Sequence, residues 1–203
     1  MINTIKFDVT GFLKIYDPTT KEVFFNGTNA IHHENMSEAI AYSLSNKGTN
    51  FITEMHFGNG GTTVDPTGVI TYLPTNTTAQ NANLYSPQYY KIVDDTNAAN
   101  TNKLRNKIAV SHIPGQVYSD IVVSCLLDYG EPAGQAAFDN SQDLNGDFVF
   151  DELGLKGYSS AGLGEGKLLT HVIFSPVQKS LNRLIQIDYT VRIQTLTNLS
   201  ATS

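Results

Sequence analysis

Apolar and polar positions alternate along residues 3–16, with Ile5, Phe7 and Val9 followed by Phe12, Leu13 and Ile15, and the phase breaks at Gly11. A period of two puts one set of side chains on a buried strand face, and a glycine at the break marks a bulge or bend. The stretch predicts one long strand with an irregularity near Gly11. DPTTK at 17–21 predicts a turn and EVFFN at 22–26 the returning strand, so the pair makes a β-hairpin.

Only one segment carries a helical period. Asn35 is placed to cap it and Glu38 to close a capping box. Met36, Ile40 and Leu44 recur on one face, and Gly48 ends it, which predicts a helix over 36–47. NFITEMHFGNGG then reads as a strand running into a tight glycine-rich turn. From residue 106 the strand signal returns. NKIAVSHI and VYSDIVVSCLLDYG are joined by Pro114-Gly115, and DFVFDELGL, KLLTHVIF and RLIQIDYTVRI follow. In the closing hairpin, Leu168, Val172 and Phe174 are expected on one face and Leu169, His171 and Ile173 on the other. About eight strands with short connections and no βαβ alternation predict a mainly β chain. The expected form is an antiparallel β-sandwich or jelly-roll-like domain over 1–203, with one short helix and a long inserted arm.

The arm is residues 62–102, where 15 of 41 residues are Thr or Asn and apolar residues cluster without a period. A connection of that length inside a compact domain is a functional loop or orders on binding. Its aromatic piece LYSPQYYKIV needs a surface to cover it, so Tyr85, Tyr89 and Tyr90 are the candidate interface residues.

Composition narrows the partners. A net charge of -6 gives no basic field for nucleic acid or anionic lipid, and no apolar run is long enough to span a bilayer as a helix. The N-terminal residues lack the pattern of a signal peptide. With charged residues at only 16%, few charges must be desolvated when this surface docks, which suits life in an assembly. The single cysteine, Cys125 in IVVSCLL, is expected to be a buried, inert thiol.

Chemistry-bearing patterns are few. HHEN is not HExxH, and adjacent His32 and His33 point to opposite faces of a strand. GYSSAG is not GxSxG, and GNGGTT lacks the lysine and helix of a phosphate cradle. Asp94 and Asp95 read as solvated loop charges. SQDLNGDFVFDE at 141–152 copies a calcium loop at Asp143, Asn145, Gly146 and Glu152, with Asp147 available for its carbonyl. It departs at Ser141 and continues as a strand, so a hairpin turning on Asn145-Gly146 is the preferred reading. No enzyme activity, cofactor or metal is expected.

Two stretches resemble a known family. NAIHHENMSEAIAYSLSNKGTNFITEMHFGNGGTT at 29–63 resembles a strand, helix and strand ending in a FGNGGT turn found in tailed-phage virion proteins. FDELGL followed by GKLLTHVIFSPVQKSLNRLIQIDYTVRI, within 150–193, resembles the closing hairpin of phage collar, neck and tail-fibre-base proteins. The resemblance implies a ring-forming structural part of a virion, assembled in the host cytoplasm, whose partners are copies of itself and other virion proteins. Residues 62–102 match nothing in that pattern. A capsid decoration protein and a carbohydrate-binding β-sandwich module stacking sugars on Tyr85, Tyr89 and Tyr90 are the alternatives, although the chain has no Trp.

Overall fold

The structure is a computed structural model that describes residues 5–48, 50–132, 148–180 and 182–197. Two five-stranded antiparallel sheets face each other. The first holds β1 (Ile5–Tyr16), β2 (Val23–Thr28), β8 (Lys107–Ser111), β9 (Tyr118–Leu127) and β12 (Ile185–Thr197), in the order β2-β1-β12-β9-β8. The second holds β3 (Ala30–Ile31), β4 (Ile52–Gly58), β7 (Pro87–Ile92), β10 (Phe148–Gly157) and β11 (Thr170–Lys179), in the order β3-β11-β10-β4-β7. The short pair β5 (Thr62–Val64) and β6 (Ile70–Tyr72) forms a separate hairpin, and α1 (His33–Ser45) joins β3 to β4. The chain is therefore mainly β, a sandwich with one short helix among the described residues.

The core lies between the sheets. Leu13, Ile15, Val123, Cys125, Ile187 and Tyr189 come from the first sheet and meet Met55, Phe57, Phe150, Leu153, Leu155 and Phe174 from the second. Phe150 sits edge-on to both Phe57 and Phe174, at 5.5 and 5.7 Å between ring centres. Edge-to-face rings fill space while meeting positive edge with negative face. Phe174 and Ile185 are both buried, so the closing hairpin contributes to the core as its alternation predicts. Leu168 does not share the Val172 and Phe174 face. It joins Ala82 and Leu84 in a small second cluster, whereas Leu169 enters the main core.

Two local expectations change. β1 pairs with β12 without interruption from Ile5 to Tyr16, and the register shift falls at Ile15/Tyr16, against β2. Gly11 is needed for a different reason: the side chain of Asn29 crosses it, and a Cβ there would lie 1.8 Å from Asn29 Oδ1. The apparent phase break comes from Phe12, which stands on the outer face, 43% exposed. The helix starts earlier than predicted because His32 caps it, its Nδ1 accepting from the backbone N–H of Asn35 at 3.2 Å. Asn35 is instead buried, with Nδ2 donating to the carbonyls of Gln80 and Leu168. Glu38 pairs with Lys167 at 2.5 Å rather than closing a capping box. Asn46, in the left-handed conformation, ends the helix ahead of Gly48, and Leu44 is left 79% exposed.

Candidate functional site

The strands β4 and β10 are buried on both faces. Their register pairs Glu152 with Gly58, Gly154 with His56 and Lys156 with Glu54, so these side chains share the face turned away from the core. Residues 73–86 lie across that face as a strap, and the loop 158–167 flanks it.

Asp151 and Glu152 fasten the glycine-rich turn and the strap. Asp151 accepts from the backbone N–H groups of Gly61 and Thr62 at 2.9 and 2.8 Å, and from the Thr62 hydroxyl. Glu152, fully buried, accepts from the N–H groups of Gly60, Tyr85 and Ser86 at 3.1, 2.9 and 2.7 Å. It accepts also from His171 Nε2 at 3.0 Å. The other ring nitrogen of His171 takes the N–H of Asn76 at 2.8 Å, which fixes the hydrogen on Nε2. Burial pushes the Glu152 carboxyl up, but the four donors together reverse this and hold its pKa below the ordinary range. Gly58 is a glycine because a Cβ would stand 2.4 Å from Glu152 Oε1 and 2.6 Å from the Ser86 carbonyl oxygen.

A second clamp holds the neighbouring loop. Glu54 accepts from the Gly164 N–H at 2.9 Å and from His56 Nε2 at 2.7 Å, while Lys156 Nζ donates to the Gly164 carbonyl at 2.9 Å. One peptide residue is thus gripped by a carboxylate and an ammonium. Burial lowers the pKa of His56 against the pull of Glu54, so its ring is neutral near pH 7 and donates to Glu54. Burial likewise lowers the pKa of Lys156, opposed by Glu54 and Glu165.

Between strap and loop a polar hollow of about 400 Å³ opens over Lys156, walled by Gln80, Asn83 and Glu165. A smaller hollow of about 180 Å³, reaching His56, Gln88 and Tyr90, shares Asn83, Lys156 and Gly164 with it. The two form one cleft.

The three tyrosines expected together are separated. Tyr89 turns inward, 6.1 Å from the Phe57 ring, and its hydroxyl pKa is raised by burial. Tyr90 stacks on His56 at 5.3 Å on the outer face and is 38% exposed. Tyr85 packs 5.8 Å from His171 and bonds the Pro74 carbonyl. Successive strand residues alternate faces, so Tyr89 and Tyr90 could not share a surface. Cys125 is buried, and burial raises its thiol to about 12, so it stays protonated and unreactive at neutral pH. Asp94 is largely buried and accepts from the N–H and hydroxyl of Thr96, whereas Asp95 is exposed.

The turn expected at Asn145-Gly146 and the first calcium-loop positions fall in residues 141–147, which lie outside the described residues. The last position, Glu152, is already occupied by four donors. Among the described residues no group of three His, Cys, Asp or Glu side chains is placed to hold a metal ion. None of the described helices is long and apolar enough to cross a membrane.

Sequence reasoning missed the pairs Glu54–His56 and Glu152–His171. Their alternation with Met55, Phe57 and Leu153 marked them as solvent-facing, and nothing local announced the strap that covers them.

A further surface is apolar. α1 and the end of the first sheet bound a groove of about 540 Å³ lined by Met36, Ile40, Leu44, Val110, Ile121 and Ile193. The β5–β6 hairpin exposes Val64, Val69 and Tyr72 by 58, 58 and 49%.

No protein-family model matches the chain, and no curated protein or solved structure shows significant similarity to it.

Proposed function

We propose that this protein is a structural component of a tailed-phage virion, a ring-forming neck, collar or tail protein that acts through contacts between its subunits. The observation that carries the reading is the pair of unlike apolar surfaces on one chain. The groove beside α1 is concave, and the β5–β6 hairpin exposes Val64, Val69 and Tyr72. Apolar patches beyond isolated residues mark association sites. When two different surfaces of identical subunits meet, the contact is head to tail, and a rotation that closes makes a ring. The occupant of the groove is the hairpin of a second copy.

Two further features support the reading. The segments 29–63 and 150–193, which carry the phage resemblance, meet in one sheet: β3 pairs with β11 and β4 with β10. Asp151 and Glu152 of the later segment bind the turn at Gly60, Gly61 and Thr62 of the earlier one. The buried carboxylates and histidines are also engaged in holding loops, which is the work of a scaffold. Tyr89 faces the core, so the subunit contact rests on the hairpin and groove rather than on the three tyrosines.

Native mass spectrometry of the purified chain tests this. A closed oligomer of defined copy number is expected, reduced to monomer by Val69→Asp and by Leu44→Asp. A chain that stays monomeric at high concentration and binds only assembled shells would turn the assignment to capsid decoration.

A further inference from the structure

The cleft over the second sheet has a composition that the clamps beneath it do not explain. We infer that it binds a neutral oligosaccharide, with Tyr90 as the stacking platform. This site goes beyond the assembly role, uses neither the groove nor the hairpin, and stands or falls separately from it.

Tyr90 supplies the apolar face of the cleft. Its ring packs on His56 at 5.3 Å with the planes 20° apart, and 38% of the residue remains exposed beside the cleft. An aromatic ring fixed from below and open above presents a flat apolar face with few rotamers left to lose. The apolar C–H face of a hexose is flat in the same way and brings hydroxyls around its rim.

The walls supply what hydroxyls need. Gln80, Asn83 and Gln88 are amides, each both donor and acceptor, and Glu165 adds an acceptor. Lys156 sits in both parts of the cleft with one N–H given to the Gly164 carbonyl, leaving two more donors on its ammonium. Small-ligand sites are concave and combine a few placed polar groups with an apolar surface, as here.

Charge selects a neutral ligand. The cleft's cations are Lys156 and Lys167. Lys167 is paired with Glu38 at 2.5 Å, and Lys156 lies in the field of Glu54 and Glu165. Glu54 and Glu165 beside Lys156 repel a carboxylate or phosphate, whereas a neutral hydroxyl meets no such field. Preorganisation also favours binding, because the Gly164 peptide is held from both ends by Glu54 and Lys156, and the strap is fastened at Tyr85 and Ser86 just before Gln88.

The test is binding of the full chain to an array of immobilised neutral hexose and N-acetylhexosamine oligomers alongside sialylated ones. Solution titration with the strongest neutral oligomer follows. Retention of neutral oligomers is expected. Tyr90→Ala should weaken the titrated affinity at least tenfold and Gln88→Ala severalfold, whereas Tyr90→Phe, which keeps the ring, should stay within about threefold of the parent. Melting temperature, followed in parallel, separates lost binding from lost fold, and exposed Gln88 provides the readout if Tyr90→Ala unfolds. Absence of any retained neutral oligomer, retention of sialylated ones alone, or unchanged affinity in folded Tyr90→Ala and Gln88→Ala overturns the proposal. The native mass of the same variants reports assembly independently.

Discussion

The two faces of β4 and β10 are both buried, and they are built from opposite chemistry. On one, Met55, Phe57, Leu153 and Leu155 meet the first sheet, and burial of apolar area stabilises the contact. On the other, Glu54, His56, Glu152 and Lys156 are covered by a strap and a loop, and are held by directed bonds to backbone N–H and carbonyl groups. The apolar face tolerates any partner of the right shape. The polar face accepts only the chain segments that bring the right donors to the right oxygens, because an unpaired buried carboxylate costs more than a hydrogen bond returns. The first face defines the sandwich, and the second defines where its longest connection lies.

Substitutions on the two faces sharpen that contrast. The largest effect is expected on the apolar side: Phe174→Ala should cost about 3 to 5 kcal/mol and Ile185→Ala about 2 to 5 kcal/mol in denaturant unfolding. Neutral outcomes at both positions would place the closing hairpin outside the core. On the polar side, Glu152→Ala should cost about 3 kcal/mol, since it strands three backbone N–H groups and His171. Hydrogen exchange should then quicken at Tyr85 and Ser86 before the strands. Exchange that quickens uniformly would mean the strap and sheet are one cooperative unit.

Acid distinguishes the faces again. The folded pKa of His56 is lowered, so the unfolded chain takes up that proton first, and stability should begin to fall as pH drops below about 6.5. The folded pKa of Glu152 is also below its ordinary value. Its contribution is whole above about pH 4.3 and is lost as pH falls through the lower folded value. His56→Gln should remove the first slope and Glu152→Gln the second, while Phe174→Ala lowers the whole curve without changing its shape.

Surface changes should be smaller in stability. Val69→Asp and Leu44→Asp should shift unfolding of the subunit by no more than about 0.5 kcal/mol while abolishing oligomers. A large loss of subunit stability in either would move that residue from interface to fold. Calcium is the smallest effect expected: because Glu152 is occupied by four donors, melting with calcium and with chelator should coincide, and a shift of several degrees would point to a filled site.

Much of the architecture was legible in the chain. Alternation at Leu13 and Ile15, at Met55 and Phe57 and at Val172 and Phe174 reports which side meets the other sheet, since side-chain direction along a strand is local geometry. The turn at DPTTK was legible for the same kind of reason: Asp17 accepts from the N–H groups of Thr19 and Thr20, residues two and three away. The position of one helix was visible too. Tertiary structure alone decided what lies over the outer face. Glu54, His56, Glu152 and His171 alternate as solvent-facing residues would, and only the return of residues 73–86 and of the loop 158–167 across them turns exposed charges into buried clamps. The same return makes His32 rather than Asn35 the helix cap, with Asn35 Nδ2 drawn to the carbonyls of Gln80 and Leu168. Periodicity records a residue's own strand or helix, but a hydrogen bond between residues 66 to 133 positions apart depends on where two distant segments meet, and that is fixed only when the whole chain packs.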